Sequence, residues 1–75
     1  MSSEISHLII YTHPDCVYST AQKEELDNDG VKYQEIDISV HPEAIEKIKT
    51  LTGGEATTPV MVEGDIVTVG FRGMG

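Results

Sequence analysis

Seventy-five residues allow one small hydrophobic core and one domain, residues 1–75, with roughly 60% of the unfolded chain's surface buried on folding. A net charge of −8, from 13 acidic side chains against 5 lysines and arginines, argues against nucleic acid and anionic membranes as partners. The single cysteine excludes an internal disulfide framework and leaves any zinc site to be built mostly from other ligands.

The opening MSSEISH has no basic segment followed by an apolar run, so no secretory signal is expected. Residues 8–11 then form a continuous apolar run, as expected of a central strand covered on both faces. Its LII is the longest aliphatic run, far short of the ~20 residues of a membrane span. With a lone thiol suited to a reducing compartment, the expected location is the cytoplasm.

Thr12, His13, Pro14 and Asp15 break the strand pattern. From Cys16 to about Asp29 there is no proline or glycine, and the segment around Ala21–Leu26 is rich in helix formers. A helix is therefore predicted, with Gly30 as its C-terminal cap and a thin apolar stripe of Val17, Ala21 and Leu26. Residues 31–38 read as a second strand, whose apolar parity changes between Val31/Tyr33 and Ile36/Ile38, consistent with a bend or bulge. Pro42 is placed at the first position of a second helix. Ala44, Ile45, Ile48 and Leu51 give that helix one apolar face, and Gly53–Gly54 end it. Residues 59–62 and 66–69 are β-rich runs around Glu63, Gly64 and Asp65, a hairpin signal.

The order is βαβαββ. A right-handed crossover between the first two strands leaves residues 8–11 inside the sheet, with the hairpin added beyond them and at most three layers. Cys16 then follows a strand at the first turn of a helix. Backbone N–H groups of Tyr18 and Ser19 and the positive end of the helix dipole can favour its thiolate there, the nucleophilic form. His13 can add to this if protonated, and Asp15 opposes it. By position alone, Cys16 also fits a small buried hydrophobe. The polar flanks and the strand's C-terminal end, where open α/β sheets place their sites, favour function. His13-x-x-Cys16 has metal-ligand spacing, with His7 or His41 as further donors. Loop positions account for these histidines, and no metal is expected. Gly53–Gly54 lacks the lysine and spacing of a phosphate loop.

YTHPDCVYS, residues 11–19, resembles the active-site turn of glutaredoxins, whose common form is Y-T-K-x-x-C-P-Y-C. TTPVMVEGD resembles their T-V-P loop and hairpin, and VGFRGMG their glycine-containing segment after it. The resemblance spans Leu8 to Gly73 in order and spacing. It is greatest to short members, including the NrdH redoxins, and extends to small proteins with C-x-x-S/T, or selenocysteine for the cysteine. The resemblance implies a thioredoxin-like α/β fold with a four-stranded mixed sheet, in a short form lacking a full C-terminal helix. It implies Cys16 as nucleophile, Tyr18 shielding the sulfur, and a cis bond between Thr58 and Pro59 in the loop opposite. Gly70, Phe71 and Arg72 would line the substrate region.

Three positions depart from the family pattern. Ser19 replaces the second cysteine, so no intramolecular disulfide can form, and its hydroxyl could instead donate to the thiolate. His13 replaces the usual lysine. Phe71, Arg72 and Gly73 stand where an acidic residue often follows the glycines and holds the glutathione amino group. The leading expectation is a monothiol thiol–disulfide oxidoreductase that requires no cofactor. Its expected partners are a disulfide-bearing protein and either glutathione, another small thiol or a thioredoxin-reductase-type donor. The alternatives are an iron–sulfur carrier bridged by glutathione between two subunits, and a non-catalytic binding module.

Overall fold

The computed structural model describes residues 8–70. Its elements are β1 (Leu8–Thr12), α1 (Val17–Asn28), β2 (Gln34–Asp37), α2 (Ala44–Thr52), β3 (Val60–Glu63) and β4 (Ile66–Val69). The four strands form one mixed sheet in the order β2-β1-β3-β4, with β1 parallel to β2 and antiparallel to β3. The apolar run at residues 8–11 thus occupies an interior strand, as its composition predicts. The expected C-terminal features at Phe71 and Arg72 lie outside the described residues, as does the end of the chain.

The helices pack on opposite faces of the sheet. On one, Leu8 and Ile10 meet Leu26 of α1, with Tyr33 and Met61 against them. On the other, Tyr11 and Val60 meet Ala44 and Ile48 of α2, joined by Ile9, Ile36, Ile38, Leu51 and Val62. Alternate residues of β1 therefore serve two cores, which is why its sequence is apolar without alternation. No helix among the described residues is long and apolar enough to cross a membrane.

Where α1 ends, the chain makes a tight cap. Gly30, at φ +72°, donates to the Asp27 carbonyl at 3.1 Å, and Val31 N–H reaches the Leu26 carbonyl at 2.9 Å. This pairing satisfies two carbonyls left open at the helix end, and it needs a left-handed residue at Gly30. It also shortens the expected second strand. Val31 belongs to the cap, so β2 begins at Gln34 instead. The parity change is not a bulge: register with β1 runs unbroken from Gln34 to Asp37. Tyr33 and Ile36 point to different faces, and each face has a core.

Two further expectations are corrected. The buried face of α1 is Ser19, Gln22 and Leu26 rather than Val17, Ala21 and Leu26, and Val17 is 72% exposed. The phase of the helix is set by Leu26, and residues four and seven positions earlier follow it inward whatever their polarity. Pro42 precedes α2 instead of opening it. Residues 41–43 form a turn, with Ala44 N–H bonded to His41 O and Ile45 N–H to Pro42 O. Gly53, at φ +84°, caps α2 as predicted.

The hairpin turns at Gly64–Asp65 with Gly64 at φ +60°. A tether links α1 to β2: Lys23 Nζ and the buried Thr12 hydroxyl both donate to Glu35 Oε2, at 2.9 and 2.7 Å. Thr12 is the last residue of β1, so this tether lies just ahead of the loop carrying Cys16.

Candidate active site

Cys16 is the N-cap residue of α1, in extended conformation with φ −94° and ψ 109°. Its carbonyl accepts the first helical bonds, from Ser19 N–H at 3.1 Å and Thr20 N–H at 3.3 Å. Its own N–H closes a turn onto His13 O at 3.0 Å. A cap side chain ordinarily offers an oxygen to the free N–H groups of the first turn. Here the side chain is a thiol, which as thiolate can take that role.

The sulfur is half-buried and faces the loop before β3. The thiol proton is donated to the Thr58 carbonyl at 3.4 Å, joining positions 42 residues apart. The Thr58–Pro59 peptide bond is cis, as the resemblance implies. Behind it, Gly70 N–H donates to the Pro59 carbonyl at 2.7 Å. Gly70 is buried at φ +83°, a backbone conformation that favours glycine.

Electrostatics around the sulfur favour ionisation. Burial pushes the Cys16 thiol up. The side-chain hydrogen bonds from Thr58 and Ser19, with the backbone N–H groups of Ser19 and Tyr18, outweigh it and hold the pKa below the ordinary thiol value. These donors are all neutral, so the shift does not depend on a cation.

Ser19 is central to this set. It is 1% exposed, and its Oγ accepts the His13 N–H at 3.3 Å, which leaves its own proton free for the sulfur. The same hydroxyl therefore fixes the loop and faces the thiol. Ser19→Ala is expected to shift the pH profile of iodoacetamide alkylation to higher pH, with a slower rate at neutral pH. An unshifted profile would show that Ser19 does not act on the thiolate.

His13 sits in the loop with its Nδ1 accepting the Asp15 N–H at 3.0 Å, so the neutral ring carries its proton on Nε2. The side chain of Tyr18 is half-buried beside Cys16. The tertiary structure thus gathers Cys16, Ser19, Thr58, Pro59 and Gly70, with His13 and Tyr18 at the margin. Among the described residues no group of three or more histidines, cysteines and carboxylates is placed to hold a metal. Sequence reasoning missed the exposure of Val17, which puts an apolar side chain in solvent next to Cys16. Its signal was an apolar residue out of phase with Leu26.

A profile of the glutaredoxin family matches residues 8–67. The chain belongs to the glutaredoxin family. It is 35% identical over 65 residues to the glutaredoxin-like protein NrdH of Escherichia coli K12, covering 87% of this chain and 78% of that protein. Among solved structures it is similar to the Escherichia coli NrdH-redoxin, with TM-score 0.77 and 34% identity over 87% of this chain and 83% of that one. A glutaredoxin from Archaeoglobus fulgidus gives TM-score 0.78 at 25% identity, covering 89% and 77% of the two chains. The Brucella melitensis glutaredoxin gives 0.73 at 30%, covering 92% and 74%. The glutaredoxin relationship makes the chain a thiol–disulfide oxidoreductase in general terms. The NrdH-redoxin structure was described for its thioredoxin-like activity profile.

Proposed function

We propose that this glutaredoxin works as a monothiol oxidoreductase on mixed or protein disulfides. The observation that carries the reading is the pairing of Cys16, the chain's one cysteine, with Ser19 at the position where a second thiol would resolve the reaction. Cys16 thiolate attacks one sulfur of a disulfide. A new S–S bond forms, the old one breaks, and the departing thiolate carries the electron pair. Ser19 cannot attack the resulting mixed disulfide, so an external thiolate attacks it, regenerates Cys16 thiolate and leaves as the new disulfide.

The roles follow from placement. Ser19 and Thr58 hold the thiolate by hydrogen bonds. Pro59 offers no N–H and its carbonyl is taken by Gly70, while the Thr58 carbonyl, which accepts the Cys16 thiol proton, is released once Cys16 is a thiolate and can then pair with an extended substrate. Tyr18 and the exposed Val17 supply apolar contact beside the sulfur, and His13 can offer Nε2–H. Glutathione is a suitable external thiol, and no bound cofactor enters the scheme. Phe71 and Arg72 remain expected contacts from the family pattern.

The test is glutathione-coupled reduction of a small mixed disulfide by the wild type and by Cys16→Ser. Turnover by the wild type and only the uncatalysed background in the variant is the expected result. Turnover surviving in the variant would overturn the reading. Failure with glutathione but success with another reductant would replace the donor and keep the thiol chemistry.

Ionisation also couples to stability. The folded-state pKa of Cys16 is depressed, so the thiolate contributes stability above the unfolded-state value, and this is lost as pH falls through the folded one. Reduced wild type should therefore gain on Cys16→Ser in Tm as pH rises from acid toward alkaline. A pH-independent difference would contradict the lowered pKa.

A further inference from the structure

The tether between α1 and β2 is a polar contact that the thiol chemistry does not use. Glu35 pairs with Ile10 across the β1–β2 ladder, so it lies on the face of the sheet against which α1 packs. Its Oε2 accepts two hydrogen bonds, from Lys23 Nζ of α1 at 2.9 Å and from the Thr12 hydroxyl of β1 at 2.7 Å. Burial pushes the Glu35 carboxyl up. The hydrogen bonds from Lys23 and Thr12 outweigh it and hold the carboxyl below its ordinary value, so it is ionised at neutral pH. Tyr33 and Asp37 also act on the pair through their charges.

The contacts run on from there to the sulfur. Thr12 is 1% exposed, and the peptide unit that follows it supplies the His13 N–H donated to Ser19 Oγ at 3.3 Å. The His13 carbonyl accepts the Cys16 N–H at 3.0 Å, and the Ser19 hydroxyl faces the thiol. A single peptide unit therefore joins the Glu35 contact to the groups that hold Cys16 and Ser19. Glu35 fixes Thr12 on one side and Lys23 on the other, and the loop of residues 13–15 hangs between the end of β1 and the start of α1. The ion pair with Lys23 is about one-third exposed, where such pairs add little to stability, so what it contributes is geometry.

We propose that Glu35 is a positioning residue for the thiol: by joining Thr12 to Lys23 it sets the end of β1 against α1, and with it the reach of Ser19 to Cys16. This rests on Cys16 as the reacting group in the reading above and names a residue that prepares it. Glu35 acts through Thr12 and His13, not on the sulfur itself. The two kinds of effect differ in sign. A carboxylate acting directly on a thiol favours the protonated form, so its removal would lower the thiol pKa. Loss of positioning weakens the hydrogen bonds to the thiolate and raises it. The far end of α1 carries a second tether for comparison, from the Tyr33 hydroxyl to Asp27 Oδ1 at 3.2 Å.

The experiment measures the pH profile of iodoacetamide alkylation of Cys16 in the wild type, Glu35→Ala, Glu35→Gln, Thr12→Val and Tyr33→Phe, each checked for cooperative thermal unfolding. Glu35→Ala and Thr12→Val should move the profile to higher pH by roughly 0.5 unit, about a threefold loss of rate below the thiol pKa. Thr12→Val changes no charge, so its shift reports geometry alone. Glu35→Gln keeps an oxygen that accepts the Thr12 proton and should shift less than Glu35→Ala. Tyr33→Phe removes the far tether and should leave the profile where it is in the wild type. The inference is overturned if Glu35→Ala leaves the profile unmoved or moves it to lower pH, if Glu35→Gln shifts as far as Glu35→Ala, or if Tyr33→Phe matches Glu35→Ala. Should Glu35→Ala not fold, Thr12→Val decides: a shift to higher pH upholds the inference and an unmoved profile overturns it. Alkylation reads the thiolate whether or not disulfides are the substrate, so failure of the disulfide reading in turnover is a separate result.

Discussion

Ser19→Cys should convert the protein from a monothiol into a dithiol that oxidises to an internal disulfide with Cys16. The two positions are three residues apart across the first turn of α1, and the Ser19 hydroxyl already faces the Cys16 sulfur. Residues so spaced in a helical turn have Cα atoms ~5 Å apart, within the ~4.4–6.8 Å that a disulfide spans. Oxidised Ser19→Cys should show no alkylatable thiol, whereas oxidised wild type, with no second cysteine to pair with, should remain alkylatable or carry a mixed disulfide. The variant's mixed disulfides should also resolve without external thiol. The substitution removes the Ser19 Oγ bond to the His13 N–H, so a loss of about 1 kcal/mol in stability is expected with it. Two free thiols after oxidation would show that the turn cannot close a disulfide.

Ile48→Ala should be among the most destabilising single substitutions in the chain. Ile48 is 0% exposed and packs in the cluster of Tyr11, Ala44 and Val60, where α2 meets the sheet. Removing its buried methyl and methylene groups costs about 2–5 kcal/mol, from lost transfer energy and the cavity left behind. At about 0.05–0.15 kcal/mol per residue, a domain of this size has only ~4–11 kcal/mol in total. The variant should therefore lose on the order of 10 °C or more in Tm and unfold at much lower urea concentration. Val17→Ala is the matched control. Its side chain is 72% exposed, so a change within about 0.5 kcal/mol is expected. Equal effects of the two would contradict the burial pattern.

Much of the fold was legible in the chain. The apolar run at residues 8–11, the Gly30 and Gly53 caps and the hairpin around Gly64 each have a local cause, and all appear where the pattern puts them. The less legible parts share a reason too. Whether Val31 extends a strand or closes a helix cap depends on which partner it meets. Its composition fits both, and the Leu26 carbonyl decides it. Ser19 and Gln22 read as surface residues, yet they are buried because Leu26 fixes the face of α1 that meets the sheet.

The candidate site divides in the same way. Cys16 at a helix start, Ser19 in place of a second thiol and the proline after Thr58 are properties of short stretches of sequence, because capping and backbone preferences act over a few residues. The contact of the sulfur with Thr58 spans 42 residues, and the bond from Gly70 to Pro59 spans a whole hairpin. No local rule brings them together. The order β2-β1-β3-β4 does so, by laying the start of β3 beside the end of β1. The sequence by itself determined the reactive group and the elements that carry it. Only the tertiary structure decided which donors meet the sulfur, since that depends on which strand ends the sheet sets side by side.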